Sequence, residues 1–372
     1  MKRHFCVQTI FVVLLMSLAF SQAEAFGNQK VEWKGKIENE KGIEVVKNPD
    51  EPMFDEPVVR FEEDLSLGAT VEREEYQFSR ISGIAVDKEE RIYVLDYTEA
   101  HVKVFDKNGR YLKTIGKKGQ GPGEMASPFS ISITPDDEIV IQDLNNRRII
   151  FLSLDGNFIR SLSTAEWIIV GSKTDSKGNI IAVVSYMQPD QQIIELRKFD
   201  MELNPLVSYR SILLPSRSSA YNPFRPEMSW TLTEKDCVIY GYPEKYELDV
   251  YDPEGNLIRK IFKDSKPVKV SPEEIEEVKK KLPGPMRLDI SRYHSAYRDL
   301  TTDEEGRIYV RTWEKKSDTN GYYFDIFDPD GKYIAKIHLA FNPAVWKNEQ
   351  VYAIEEDENG FQVVKRYKVS WD

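Results

Sequence analysis

A phrase of 14 residues recurs five times along this chain of 372, and that recurrence limits its possible folds more than any other feature. It reads VKVFDKNGRYLKTI at 102–115, IIFLSLDGNFIRSL at 149–162 and LRKFDMELNPLVSY at 196–209, then LDVYDPEGNLIRKI at 248–261 and FDIFDPDGKYIAKI at 324–337. Successive copies start 47, 47, 52 and 76 residues apart. Apolar and polar residues alternate on both sides of a turn, as through Val102 and Val104 and then Tyr111 and Leu112, the pattern of half-buried strands. Between the two runs sits Asp-x-x-Gly, at Asp106–Gly109, Asp252–Gly255 and Asp328–Gly331. Asp can bond backbone two residues on, and Gly supplies the positive φ of a tight hairpin. The third copy has Leu203 where the others have Gly, which predicts a wider turn there.

A second phrase precedes the first in each unit. GIAVDKEERIYVLD at 83–96 matches DLTTDEEGRIYVRT at 299–312 when Asp87 is laid on Asp303, and weaker versions occur at 133–143, 174–184, 237–242 and 350–356. Together the phrases predict four strands per unit. Six second-strand cores can be counted: Ile92-Tyr93, Ile139-Val140, Ile180-Ile181, Val238-Ile239, Ile308-Tyr309 and Val351-Tyr352. A period in the forties with four strands per unit is that of a β-propeller. The expected fold is therefore all-β, a six-bladed propeller of four antiparallel strands per blade, over 58–372.

The last blade offers no outer strand after Tyr367, and an unpaired edge templates aggregation. A strand from before the first blade is expected to close the ring, VVRFEE at 58–63 in preference to IEVVKN at 43–48. Residues 1–25 read as a secretory signal: Lys2-Arg3-His4, an apolar run from Ile10 to Phe20, then Ala23-Glu24-Ala25. The run is too short to suit a mature transmembrane helix, so no stable membrane insertion is expected after cleavage. Residues 26–57 form an N-terminal extension, and a monomer is expected. Removing Lys2, Arg3 and Glu24 takes the net charge from −11 to −12, which argues against nucleic-acid partners. Cys237 then remains as the one cysteine, on an alternating strand, so it reads as a small buried hydrophobe without an internal disulfide.

GKKGQGPGEMASP at 116–128, with the YVLD and DLNNRRI segments around it, resembles the NHL-repeat class of six-bladed propellers (NHL/TolB-like), in particular exported bacterial six-bladed propeller proteins. The resemblance covers roughly 58–372 and is strongest from Phe78 to Leu162. It implies a propeller outside the cytoplasm, periplasmic or extracellular, and leaves activity open.

In a propeller the Asp-x-x-Gly turns and the Asp87–Arg91 type turns fall on one face. The outer-to-inner connections and the second-to-third strand loops fall on the other, which is expected to bind ligand. That face collects Gln120, Glu124, Tyr97, Glu99, His101, Asn145, Asn146, Arg147 and Arg148. Asp96 and Asp143 start matching loops 47 residues apart and can either accept loop N–H bonds or face a ligand. The insertion between Phe262 and Arg298 breaks the period. Ser271-Pro272-Glu273-Glu274 is a helix start with a capping box; Ile275, Val278 and Leu282 share one face, and Pro283-Gly284-Pro285 ends it. Residues 263–298 are expected to cap the channel, with Tyr293, His294 and Arg298 facing a cavity shared with Arg80, Asp96, Tyr97, Asp143 and Arg148. No catalytic residue or metal ligand is assigned; any acid–base role would fall to His294.

Three function classes follow. The first is an exported, non-catalytic binding or scaffold propeller that holds a protein, peptide or glycan and needs no cofactor. The second is a propeller hydrolase or lactonase with Ca²⁺ in the channel. It needs acidic or amide residues on inner strands, where Ser82, Ile84, Ser130, Ile131, Ser132, Thr231 and Thr233 stand instead. The third is an NHL-type lyase with a His-bound Zn²⁺, for which only His101, His294 and His338 remain.

Overall fold

The computed structural model describes residues 32–56, 58–68, 73–215, 221–282, 284, 287–316 and 320–371. The expected signal segment, and Pro283 and Pro285 of the expected helix stop, lie outside the described residues. Six sheets, each built on four antiparallel strands, form the ring. Their inner strands are Ile81–Val86, Pro128–Ile133, Ile168–Thr174, Ser229–Leu232, Asp299–Thr302 and Pro343–Lys347, defining blades 1 to 6. All six expected second-strand cores lie in second strands. Six apolar clusters seal the ring, each shared by two neighbouring blades; Tyr93 packs with Ile139, for example, and Tyr352 with Ile84. Burial on both sheet faces explains why second strands are apolar throughout rather than alternating.

The turns are specified locally. Asp87 accepts the Glu89 and Arg91 N–H groups at 3.0 and 2.8 Å, the Arg91 guanidinium at 2.5 Å and the Tyr93 hydroxyl at 3.0 Å. Asp303, Arg307 and Tyr309 repeat this arrangement in blade 5. The wider turn expected at Leu203 does not occur. Leu203 takes φ 65° in the same turn as the glycines, and Asp200 accepts the Asn204 N–H and side-chain amide, both at 2.8 Å. The Asp side chain dictates this turn strongly enough to hold a non-glycine residue in the left-handed region.

Val59–Leu67 supplies the outer strand of blade 6, pairing antiparallel with Gln362–Trp371. Arg366 grips Asp64 from within the pair at 2.8 and 3.0 Å. The alternative closing strand, Ile43–Asn48, has another use. It pairs in parallel with the outer strand of blade 4, Leu257–Lys263, and Lys36–Glu40 folds back on it, so blade 4 has six strands rather than four. Asn48 fastens this hairpin across to blade 5, donating to the Gly331 carbonyl and accepting the Tyr333 N–H.

The insertion carries helix α1, Pro272–Lys281, with the expected Ser271 cap and capping box. Ile275, Val278 and Leu282 are half-buried on one side. The loop after α1 lies against blades 4 and 5, with the Ala296 N–H on the Pro243 carbonyl at 2.7 Å and Tyr297 fully buried between Tyr246 and Leu300.

Candidate functional site

The loop-face residues separate into two groups, with no hydrogen bond or ring contact between them among the described residues. Asp96 is buried and accepts the N–H groups of Ser79, Thr98 and Glu99 at 2.7, 2.9 and 3.1 Å, so it orders its own loop. Arg80 lies exposed over the Tyr97 ring at 4.7 Å. His101 is half-buried, and burial pulls its imidazole below the ordinary value. Asp143 accepts Ser127 N–H and the Asn146 amide, while Arg148 spans the glycine-rich loop, donating to the carbonyls of Gln120, Gly121 and Glu124. Asn145 stands exposed at its loop tip.

The other group belongs to the insertion. His294, expected to face a cavity, is sealed instead. Its ring stacks on Trp313 at 4.0 Å, meets the edge of Phe224 at 5.0 Å, and places Nε2 3.1 Å from Glu274. Burial lowers its pKa, opposed by the Glu274 carboxylate. Burial works to raise the Glu274 pKa, but the Ser271 N–H, Lys315 and His294 together hold it at about 2. Arg298 lies over the rings of Trp313 and Tyr322, each at 4.6 Å, and Tyr293 is partly exposed beneath Arg292. These side chains fasten α1 to the ring.

The principal cavity is the central channel, about 740 Å³. It is walled by all six inner strands and reaches the turns at Asp87–Lys88, Asp137, Asp175–Ser176, Glu234–Asp236 and Asp303–Glu304. It therefore lies toward the turn face, opposite the face expected to bind ligand, and neither loop-face group lines it. Strand register places six lining residues at equivalent positions: Ala85, Ser132, Lys173, Thr231, Thr301 and Val345. Five are small or β-branched, and the sixth is a lysine. A bulge at Gly171, where φ is +66°, precedes Lys173 and is tied down by Gln142 of blade 2. Lys173 donates to the Thr231 hydroxyl at 3.0 Å and lies 5.8 Å from the Trp230 ring centre. Its side chain is exposed to the cavity, and the channel wall crowded around it lowers its pKa to about 8 by desolvation.

Sequence reading named Ser82, Ser130, Ser132, Thr231 and Thr233 as inner-strand residues, and all five line the cavity. It missed Lys173, Trp346 and the role of Trp230. One signal was available: Lys173 precedes Asp175 by two residues, as Ala85 precedes Asp87 and Thr301 precedes Asp303.

The donor set does not fit a channel metal. Among the described residues no three His, Cys, Asp or Glu side chains stand together to hold one. Asp87, Asp137, Asp175, Asp303 and Glu304 at the mouth pair with Arg91, Lys88, Lys198, Arg307 and Lys347. Cys237 is half-buried, and burial raises its thiol pKa, away from the nucleophilic thiolate.

A family profile described as "Domain of unknown function (DUF4934)" matches residues 74–317. The chain belongs to this family. The DUF4934 match spans the inner strands of blades 1 to 5, Lys173 and Trp230 included, and stops before the closing blade. The fold is similar to that of a candidate exported protein from Bacteroides fragilis NCTC 9343, with TM-score 0.58 and 11% identity over 88% of this chain and 99% of that one. It is also similar to a DUF4221 family member from Bacteroides vulgatus, with TM-score 0.52 and 12% identity over 84% and 99%. These likenesses are of fold. Protein brain tumor of Drosophila melanogaster is 30% identical over 112 residues, 29% of this chain, and the chain spans 11% of that protein's length. Among the described residues no helix is long and apolar enough to cross a membrane.

Proposed function

We propose that this protein is an exported, non-catalytic binding propeller of the bacterial six-bladed type, and that its central channel holds a short glycan. The channel wall carries this reading. Ser82, Ser130 and Thr301 offer hydroxyls, and Trp230 and Trp346 offer aromatic surface, around a space of about 740 Å³. Small-ligand sites occupy ~300–1,000 Å³ and combine apolar walls with a few convergent polar groups. Hydroxyls that both donate and accept suit a polyol, and indole faces suit the C–H faces of a sugar ring. Of the three ligand classes in view, a folded protein partner is too large for the channel, and a peptide backbone would bring donors and acceptors in a fixed alternation that the hydroxyl ring does not mirror.

The test is equilibrium binding followed by tryptophan fluorescence, since two indoles line the cavity. Mono- and disaccharides should shift the emission of the wild-type protein, and Trp230→Leu should diminish the shift. Absence of any response across a broad saccharide set would defeat the proposal. Turnover of a bound saccharide would show an enzyme instead. Mass spectrometry of the mature N-terminus tests export, with cleavage after Ala25 expected.

A further inference from the structure

Among the described residues, the other lysines that line the cavity are compensated, as are three cations behind its wall. Lys88 stands 3.2 Å from Asp137, Lys198 2.7 Å from Asp175, and Lys347 3.3 Å from Glu304. Arg91 and Arg307 hold Asp87 and Asp303 at 2.5 and 2.7 Å. Lys173 breaks this rule. Among the described residues no carboxylate pairs with it, and its recorded polar partner is the neutral Thr231 hydroxyl. At the five equivalent register positions stand Ala85, Ser132, Thr231, Thr301 and Val345, too short to fill the ring. The lysine is thus the long, charged group of its layer, and its ammonium reaches into open space.

An ammonium that faces a channel with no counter-ion beside it is free to pair with an anion, and the neutral residues at the equivalent positions supply no such charge. Bulges of the same kind precede Ala85, Ser132 and Val345, so the lysine rather than the strand geometry distinguishes blade 3.

Resting on the glycan reading, we propose that the channel selects an acidic saccharide, a sugar bearing one carboxylate, which closes an ion pair with Lys173 Nζ while the surrounding hydroxyls and Trp230 take the ring. Glu234 and Asp236 at the mouth disfavour polyanions, so the ligand carries a single acid group lodged deep in the channel.

Calorimetric titration with galacturonate, methyl galacturonate and galactose tests this on the full mature protein. Galacturonate should bind at least tenfold more tightly than its neutral ester or galactose. Lys173→Met should erase that preference, bringing galacturonate to the affinity of its ester. Lys173→Gln, a polar replacement of similar length, serves as a second variant should Lys173→Met fold poorly. Equal binding of acid and ester, unaltered in either variant, would overturn the anion site while the glycan reading stands. Binding of none of the three sugars, with saccharide sets also silent, would remove both. Tighter binding of an acidic peptide than of galacturonate would overturn the saccharide class.

Discussion

Lys173 is a residue whose contribution to stability and to binding should have opposite signs. Its folded-state pKa, about 8, lies below the unfolded value of 10.5. Between these values the unfolded chain holds more protons, so stability rises with pH across that window and is lost as pH falls through 8. Lys173→Met should therefore melt higher than wild type at pH 7, on the order of 2 °C. The gap should narrow as pH climbs from 8 toward 10.5, in parallel thermal scans. Asp87 presents the reverse case, a buried carboxylate whose partners are all in place. Asp87→Ala strands the buried Tyr93 hydroxyl and unties a turn. It should cost about 3 kcal/mol in a urea titration, whereas Asp106→Ala, in an exposed turn, should cost about 1 kcal/mol.

The insertion was readable as a helix because its signals are local: Ser271 caps, Pro272 presets φ, and Glu274 reaches back. Its docking was not readable. Trp313 and Phe224 clamp His294 from segments far away in sequence, and Glu274 serves as both capping-box residue and His294 partner. His294→Ala should accordingly cost about 2 kcal/mol and loosen α1 with the channel's ligand affinity unchanged, checked by amide hydrogen exchange over 271–282. Acid should act in the same sense. Glu274, at about 2, contributes stability present above its unfolded value of 4.5 and lost as pH falls from there toward 2; His294, held below 6.5, contributes stability lost as pH falls through its lowered value. Exchange over α1 should quicken below pH 5 before the blades unfold.

At the scale of the molecule, Val59–Leu67 joins one end of the described chain to the other by pairing with Gln362–Trp371. Each blade then has two neighbours, and the six inter-blade clusters leave no free end from which unfolding could begin. A chain beginning at Thr70 exposes both the edge of Gln362–Trp371 and the apolar side that Leu67 covers. It should lose the single sharp thermal transition and aggregate, as followed by calorimetry and light scattering. The hairpin at Lys36–Asn48 is a lesser case: Asn48→Ala should detach it from blade 5 at a cost of about 2 kcal/mol without opening the ring.

The blade count, the turns and the closing strand were legible in the amino-acid order, because strand alternation and Asp-x-x-Gly chemistry act over a few residues and repeat. Leu203 shows how far this reaches, since Asp200 rather than glycine dictates its turn. The destination of Ile43–Asn48 was not legible: its buried Val45 and Val46 suit any sheet edge, and every blade of the finished ring presents an outer strand. Nor was the cavity. Ala85, Ser132, Lys173, Thr231, Thr301 and Val345 lie tens of residues apart, each unremarkable on its own strand. Local order determines each blade. Which side chains meet at the axis, and which charge is left without a partner there, is decided by the closure of six blades around a common centre.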